Sequence, residues 1–247
     1  MNNGSAAKRL VEILGIDTEP VAVFLLGPES PPPAASFKKV TGHRYCQLLM
    51  SARHGESVLL DPNELACPAA AAAFGFRPLP EGLATGKGLV GFGIVDDPDT
   101  GRRMFENMPH LEPGRVTLIA AAPLSAVNAV PDVIVVEGPP EALMWLTLAD
   151  LNVAGGERRR GVTAVLQATC VDATIIPFLE QRLNFSLGCY GCREATDLGP
   201  HESVLGFPGA RLGPMIAALE SLAKKAVGRS RAKAVLENHK KKENSHE

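Results

Sequence analysis

Five cysteines, Cys46, Cys67, Cys170, Cys189 and Cys192, are the residues of this 247-residue chain best suited to carry chemistry. An odd number of thiols without a leader-like N-terminus argues against a disulfide framework, and clustered thiols in a reducing compartment are more often metal ligands or redox groups. The densest pattern is Gly188-Cys189-Tyr190-Gly191-Cys192-Arg193. Two cysteines three apart can grip one metal or cluster if the chain between them turns back. Gly188 and Gly191 permit that turn and leave backbone N–H groups free to point at sulfur. Arg193 adds positive charge, which lowers thiol pKa and offsets anionic thiolates. Gly188, Gly191 and Arg193 are therefore the expected cofactor contacts.

A zinc ribbon shows two Cys-x-x-Cys pairs, and the second is missing here. Cys67-Pro68 resembles the Cys-Pro that closes bacterial ferredoxin motifs. Thiols dispersed along the chain suit a soft, thiophilic [4Fe-4S] cluster better than paired knuckles around zinc, which is the alternative cofactor. Cys46, Cys67 and Cys189 form the ligand set, completed by Cys170 or Cys192. A dithiol–disulfide pair at 189/192 and plain structural thiols are the competing readings.

Other candidates weigh less. His43, three before Cys46, and His201, after the cysteine loop, read as surface histidines before ligands. GKGLVGFG (86–93) lacks the Gly-Lys-Ser/Thr ending of a P-loop and reads as a turn and bulge. Asp96, Asp97 and Asp99 with Pro98 suit a solvated turn. The run Glu157-Arg158-Arg159-Arg160 after Gly155-Gly156 suits a solvated loop, with an anion anchor as the second reading.

Composition narrows the classes. Apolar residues make up 45% and charged residues 21%, which is globular rather than disordered. Aromatics at 5% and a net charge of −2 supply neither stacking platforms nor a pull toward phosphate polymers, so nucleic acid is not an expected partner. No signal-peptide order and no run of ~18 uncharged apolar residues is present, so no membrane role is expected and the cytoplasm is the default.

The elements that must position the cysteines are read from periodicity. A helix is expected over 5–14 with Ser5 as N-cap and Gly15 as stop. PVAVFLL (20–26) reads as a buried strand ended by the prolines at 31–33. HRYCQLLMSARHG (43–55) reads as a helix, and Asp61 with Glu64 as a capping box. Pro68 should break the chain at Cys67 and start a short Ala-rich helix. LVGFGIV (89–95), RVTLIAAA (115–122), DVIVVEG (132–138), GVTAVLQ (161–167) and SVLGF (203–207) are strand candidates. Helices are expected over 139–152, over 171–183 with a kink at Pro177, and from Pro214 onward. Residues 186–202 read as a glycine-punctuated loop, and the tail ENHKKKENSHE should fray.

The fold class is thus α/β (or α+β). Three ordered echoes suggest two pseudo-symmetric halves, over 16–110 and 130–212, packed into one unit. PVAVFLLGPES (20–30) echoes PDVIVVEGPPE (131–141), ELACPAA (64–70) echoes QATCVDA (167–173), and GKGLVGFG echoes HESVLGFPG (201–209). That alignment makes Cys67 and Cys170 equivalent. One domain is expected over 1–225, with a basic helix end and tail over 226–247.

VAVFL, Cys46, Cys67-Pro68, SLGCYGCR and ESVLGFP, in that order over residues 8–225, resemble the domain of unknown function 169 family of bacteria and archaea, common in anaerobes. The resemblance implies cysteines at Cys46, Cys67 and Cys189 and often at Cys170. It also implies a small residue such as serine at the position of Cys192, which favours Cys170 as the fourth ligand. It brings no assigned reaction.

The leading expectation is an iron–sulfur protein of anaerobic metabolism, with a redox, electron-transfer or cluster-based role. Its partners would be a redox protein or a small anionic substrate, and a homo-oligomer stays open. The alternative is a non-catalytic metal- or thiol-redox-responsive binding module.

Overall fold

A computed structural model describes residues 2–31, 33, 36–164 and 166–243. Apolar runs rich in β-branched residues make strands buried on both faces. β1 (Val21–Leu26), β2 (Lys38–Val40), β3 (Val58–Leu60), β4 (Leu118–Pro123), β5 (Val133–Gly138), β6 (Asn184–Ser186) and β7 (Ser203–Pro208) form one sheet in the order β2-β3-β4-β1-β5-β7-β6. β2 pairs parallel to β3, and the other pairings are antiparallel. The helices in chain order are α1 (Asn3–Leu14), α2 (Tyr45–Arg53), α3 (Pro68–Ala73), α4 (Glu81–Ala84), α5 (Lys87–Gly91), α6 (Pro98–Glu106), α7 (Pro140–Val153), α8 (Ile176–Glu180), α9 (Tyr190–Ala195), α10 (Leu212–Leu222), α11 (Gly228–Arg231) and α12 (Ala234–Glu243). Wider π-helical turns run over Ala168–Ile175 and Ala223–Val227.

Because successive strand residues face opposite ways, the sheet separates two cores. Ala22, Phe24, Leu26, Ile134 and Val136 pack against α1, α7 and α10. Val21, Val23, Ile119, Val133 and Val135 pack against α2, α3, the first π-helix and α9, and this second core holds the cysteines. The result is a helix–sheet–helix sandwich of the expected α/β class.

The register has a local dyad between Ala22 and Ile134. Val21 opposes Pro123 on one side and Val135 on the other, while Val133 opposes Pro208 and Val23. One strand further out, Val58 opposes Ala121 and Asn184 opposes Gly206. A half-turn therefore places β1 on β5, β4 on β7 and β3 on β6, residue for residue. Ala121 and Gly206 are equivalent by this rule, yet only one can carry a methyl. A Cβ on Gly206 would stand 1.8 Å from the Ala173 carbonyl oxygen, because the π-helix lies directly on β7.

Several local expectations are corrected. Residues 89–95 are not a strand: they are the end of α5 and a turn, because Gly86 holds a positive φ against the backbone of Pro98 and Gly101 and starts a helix there. Residues 161–164 and 166–167 form no strand, Val165 lying outside the described residues. The helix over 171–183 begins earlier, as a π-helix at Ala168. Pro177, which has no N–H to give, is the second residue of α8, just after the π-helix, and α8 ends at Glu180. Inside 186–202, residues 190–195 are helical. Asn2, not Ser5, caps α1 with its side chain. Asp61 caps a single 3-10 turn through the Asn63 N–H, and Asp97 caps α6 rather than sitting in an open turn. The tail is helical to Glu243. Residues 244–247 and Pro32, part of the proline run at 31–33, lie outside the described residues. No described helix is long and apolar enough to cross a membrane.

Candidate metal centre

Each cysteine owes its place to a helix start. Cys46 is the second residue of α2, and Cys67 is the N-cap of α3, where Pro68 fills the first helical position. The Ala66 N–H donates to the His43 carbonyl at 3.0 Å, tying the approach to Cys67 to the start of α2. Cys170 is in the first turn of the π-helix, whose N-cap, Gln167, adopts a left-handed conformation. Cys189 is the N-cap of α9 and Cys192 its third residue.

All five side chains line one cavity of about 280 Å³, together with Arg44, Tyr45, Gln167 and Thr169. None is in a disulfide. The dyad relates them in a way the sequence echo did not: Cys67 follows β3 as Cys189 follows β6, and Cys46 precedes β3 as Cys170 precedes β6. The equivalences are therefore Cys46 with Cys170 and Cys67 with Cys189, not Cys67 with Cys170. The third echo, 86–93 with 201–209, sets a helix against a strand and also fails.

The two cysteines of the Gly-rich motif cap each other. The Cys192 N–H donates to Cys189 Sγ at 3.3 Å and the Cys189 N–H to Cys192 Sγ at 3.0 Å, a capping box made with sulfur. The Cys192 thiol also reaches the Cys189 carbonyl at 3.2 Å. The Cys189 thiol is lowered to about 6 by the hydrogen bond from Cys192, followed by the N–H groups of Ala168, Cys192 and Gln167, against the opposing effect of burial. Cys192 is raised, because it holds the shared proton and is buried. Burial, then the neighbouring Cys189 and Cys67, pushes Cys46 up to about 12. Cys170 is raised by burial and by Cys67, Cys189 and Cys46. All five sulfurs thus take part in these electrostatic couplings, and Cys189 alone of the shifted thiols is lowered toward thiolate.

Among the described residues no three His, Cys, Asp or Glu side chains are drawn close enough to chelate a single ion. A tetrahedral zinc site with Zn–S near ~2.3 Å requires such a knot of sulfurs. A cuboidal cluster presents a separate iron to each thiolate. The donor set is all sulfur and the surroundings are apolar, which suits that softer group.

The neighbouring residues differ from expectation. Gly188 has a φ of +93°, which itself favours glycine, and a Cβ there would stand 3.0 Å from the Arg193 guanidinium. Arg193 donates to the carbonyls of Leu187, Gly199 and Glu202 and clamps the loop. It ties the loop together and is not among the residues that line the cavity. Gly191 lines the cavity, and its carbonyl accepts from Arg44 at 3.2 Å. Arg44, overlooked in the sequence, is the cation that opposes the Cys46 shift, and it pairs with Glu194 at 2.9 Å. Its signal was its position immediately before the helix that carries Cys46. Arg159 is held at 2.5 Å by Asp150, itself fully buried and also paired with Arg211, so the 155–160 loop is pinned rather than poised for an anion. His43 and His201 do not line the cavity.

Together the sheet and cavity define an α/β protein with a cysteine-lined site between dyad-related helix starts. The chain matches the DUF169 family, described as an uncharacterised ArCR family, over residues 9–218, and it belongs to that family. An uncharacterised protein of Methanocaldococcus jannaschii is 30% identical over 216 residues, covering 87% of this chain and 92% of that protein. No solved structure matches the chain.

Proposed function

We propose that this protein carries a [4Fe-4S] cluster on Cys46, Cys67, Cys170 and Cys189 and uses it for electron transfer or for chemistry on a small molecule. The observation that carries the reading is the convergence of two dyad-related cysteine pairs on one cavity. Such a cluster supplies one-electron redox capacity or a Lewis-acidic iron. The protein's own residues bind and tune it. The hydrogen bond from Cys192, then the amides of Ala168, Cys192 and Gln167, favour Cys189 as thiolate, the Arg44 guanidinium offsets negative charge near Cys46, and burial on α2, α3 and the π-helix limits water. Cys46 and Cys170 carry protons in the metal-free protein, so cluster assembly releases them and is favoured by rising pH. The reading sets the protein in a reducing cytoplasm, with a redox protein or a small molecule as its counterpart.

The test is anaerobic purification followed by iron and sulfide analysis and a visible spectrum. About four irons and four sulfides per chain are expected. Serine at Cys46, Cys67, Cys170 or Cys189 should remove them, and retention in all four variants would end the proposal.

A second reading has one observation in its favour, the mutual hydrogen bonding of Cys189 and Cys192. These thiols would then form a reversible disulfide that responds to redox state. An iron-free protein whose thiol count falls by two on mild oxidation, but not in Cys192→Ser, would select it.

A further inference from the structure

The dyad fails at one place, and that place borders the cysteine cavity. In the second half, residues 196–202 run directly from α9 to β7. In the first half, residues 74–117 intervene between α3 and β4 and contain α4, α5 and α6. These helices add no strand to the sheet and pack mainly on one another. Leu89 and Phe105 from this insertion join Ala69 and Leu166 in a third small core, separate from the two that flank the sheet.

The insertion contributes Leu83, Leu89, Phe92, Ile94 and Phe105 to the cavity wall and no charged side chain. The charged groups on that wall are Arg44 and Glu194, which come from outside the insertion and neutralise each other at 2.9 Å. Phe92 at 63% exposure and Tyr190 at 53% line the same cavity and together leave an apolar wall in contact with solvent. The whole space, cysteine-lined floor included, is about 280 Å³, against the ~150 Å³ that houses a benzene-sized ligand.

We infer that the insertion 74–117 builds a binding chamber for a small, uncharged, apolar molecule, delivered to the cysteine-lined floor between Leu89, Phe105 and Leu166. The inference rests on the iron–sulfur reading for what happens at that floor, but not for binding itself. It replaces the small anionic substrate expected from the sequence, since Arg193 and, in the 155–160 loop, Arg159 are committed to the loops they hold, and Arg158 and Arg160 do not line the cavity.

The experiment is ligand-observed NMR on the anaerobically purified full chain with indole, toluene, benzoate and inorganic phosphate, with iron measured on the same sample. Indole and toluene should bind saturably, and benzoate and phosphate at least about tenfold more weakly. Leu83→Glu and Ile94→Asp, at partly exposed wall positions, should each weaken indole at least about tenfold and leave iron content unchanged. Tighter binding of benzoate or phosphate than of indole overturns the chamber, as does indole binding undiminished in both variants. Iron-replete protein that takes up neither indole nor toluene removes the chamber and keeps the cluster. Iron-free protein that binds indole in a Leu83-dependent way keeps the chamber and removes the cluster.

Discussion

Cys67 and Cys189 hold the same position in the two halves: each follows a dyad-related strand and each is the N-cap of a short helix. Three residues on, the equivalent positions diverge, with Ala70 in α3 and Cys192 in α9. Cys192 therefore has no partner across the dyad. Cys192→Ala is expected to keep near wild-type iron, whereas Cys67→Ala and Cys189→Ala lose it alike. Iron analysis of the three proteins decides this, and loss of iron from Cys192→Ala would make that residue a ligand.

Ala121 and Gly206 form the second informative pair. A methyl on Gly206 would collide with the Ala173 carbonyl and lift the π-helix that carries Cys170. Gly206→Ala should cost about 3 kcal/mol or more, since neither backbone can yield without disturbing a strand. Ala121→Gly should cost only about 1 kcal/mol. Urea midpoints at unchanged m-values measure both.

Glu137 lies at the end of β5, buried beside Arg53 at 2.9 Å. Burial outweighs the guanidinium and raises its carboxyl to about 7. The unfolded chain releases this proton near ~4.3, so the folded state binds it more tightly. Its contribution to stability is full below that value and is lost as pH rises through about 7. Wild-type stability should fall between roughly pH 4.5 and 7.5, by up to about 3 kcal/mol from this group. Glu137→Gln should flatten the profile. Asp172, also raised to about 7 by burial, leaves a residual slope of the same sign.

Arg193→Lys should not rescue Arg193→Ala. One ammonium cannot reproduce the planar fork that reaches the carbonyls of Leu187, Gly199 and Glu202. Each variant should lose about 1–3 kcal/mol and become open to proteolysis within 187–202. Limited digestion with mass analysis of the fragments is the measurement.

The legible parts of the fold were those where one signal sufficed. β1, β4 and β5 are continuous apolar runs bounded by turns, and Gly15 closes α1 as its position predicts. LVGFGIV carries a similar apolar run, but a short one cannot be told from a buried helix by periodicity alone, and here long-range contact at Gly86 decides. α9 was hidden because its cap is a sulfur, which no capping preference scores. The cysteines themselves were legible as a set, since thiols have few other uses in such a chain. Their pairing was not: it depends on strand register between segments more than a hundred residues apart, where the dyad is kept by backbone pairing while the side chains change from Val58 to Asn184. The role of Arg193 in its loop was hidden because charge is visible in a sequence and its three carbonyl partners are not.

β1 and β5 touch across only three residue pairs centred on Ala22 and Ile134. On either side of that seam lie one dyad-related strand trio and one equivalent pair of sulfurs, with β2 and Cys192 standing outside the repeat. A polypeptide of half this size, joined edge to edge with an identical twin, would bring four sulfurs to the same hollow without the intervening helices. The site is thus of a kind that symmetry alone can assemble, and what the single chain adds is the freedom to make its two sides unlike.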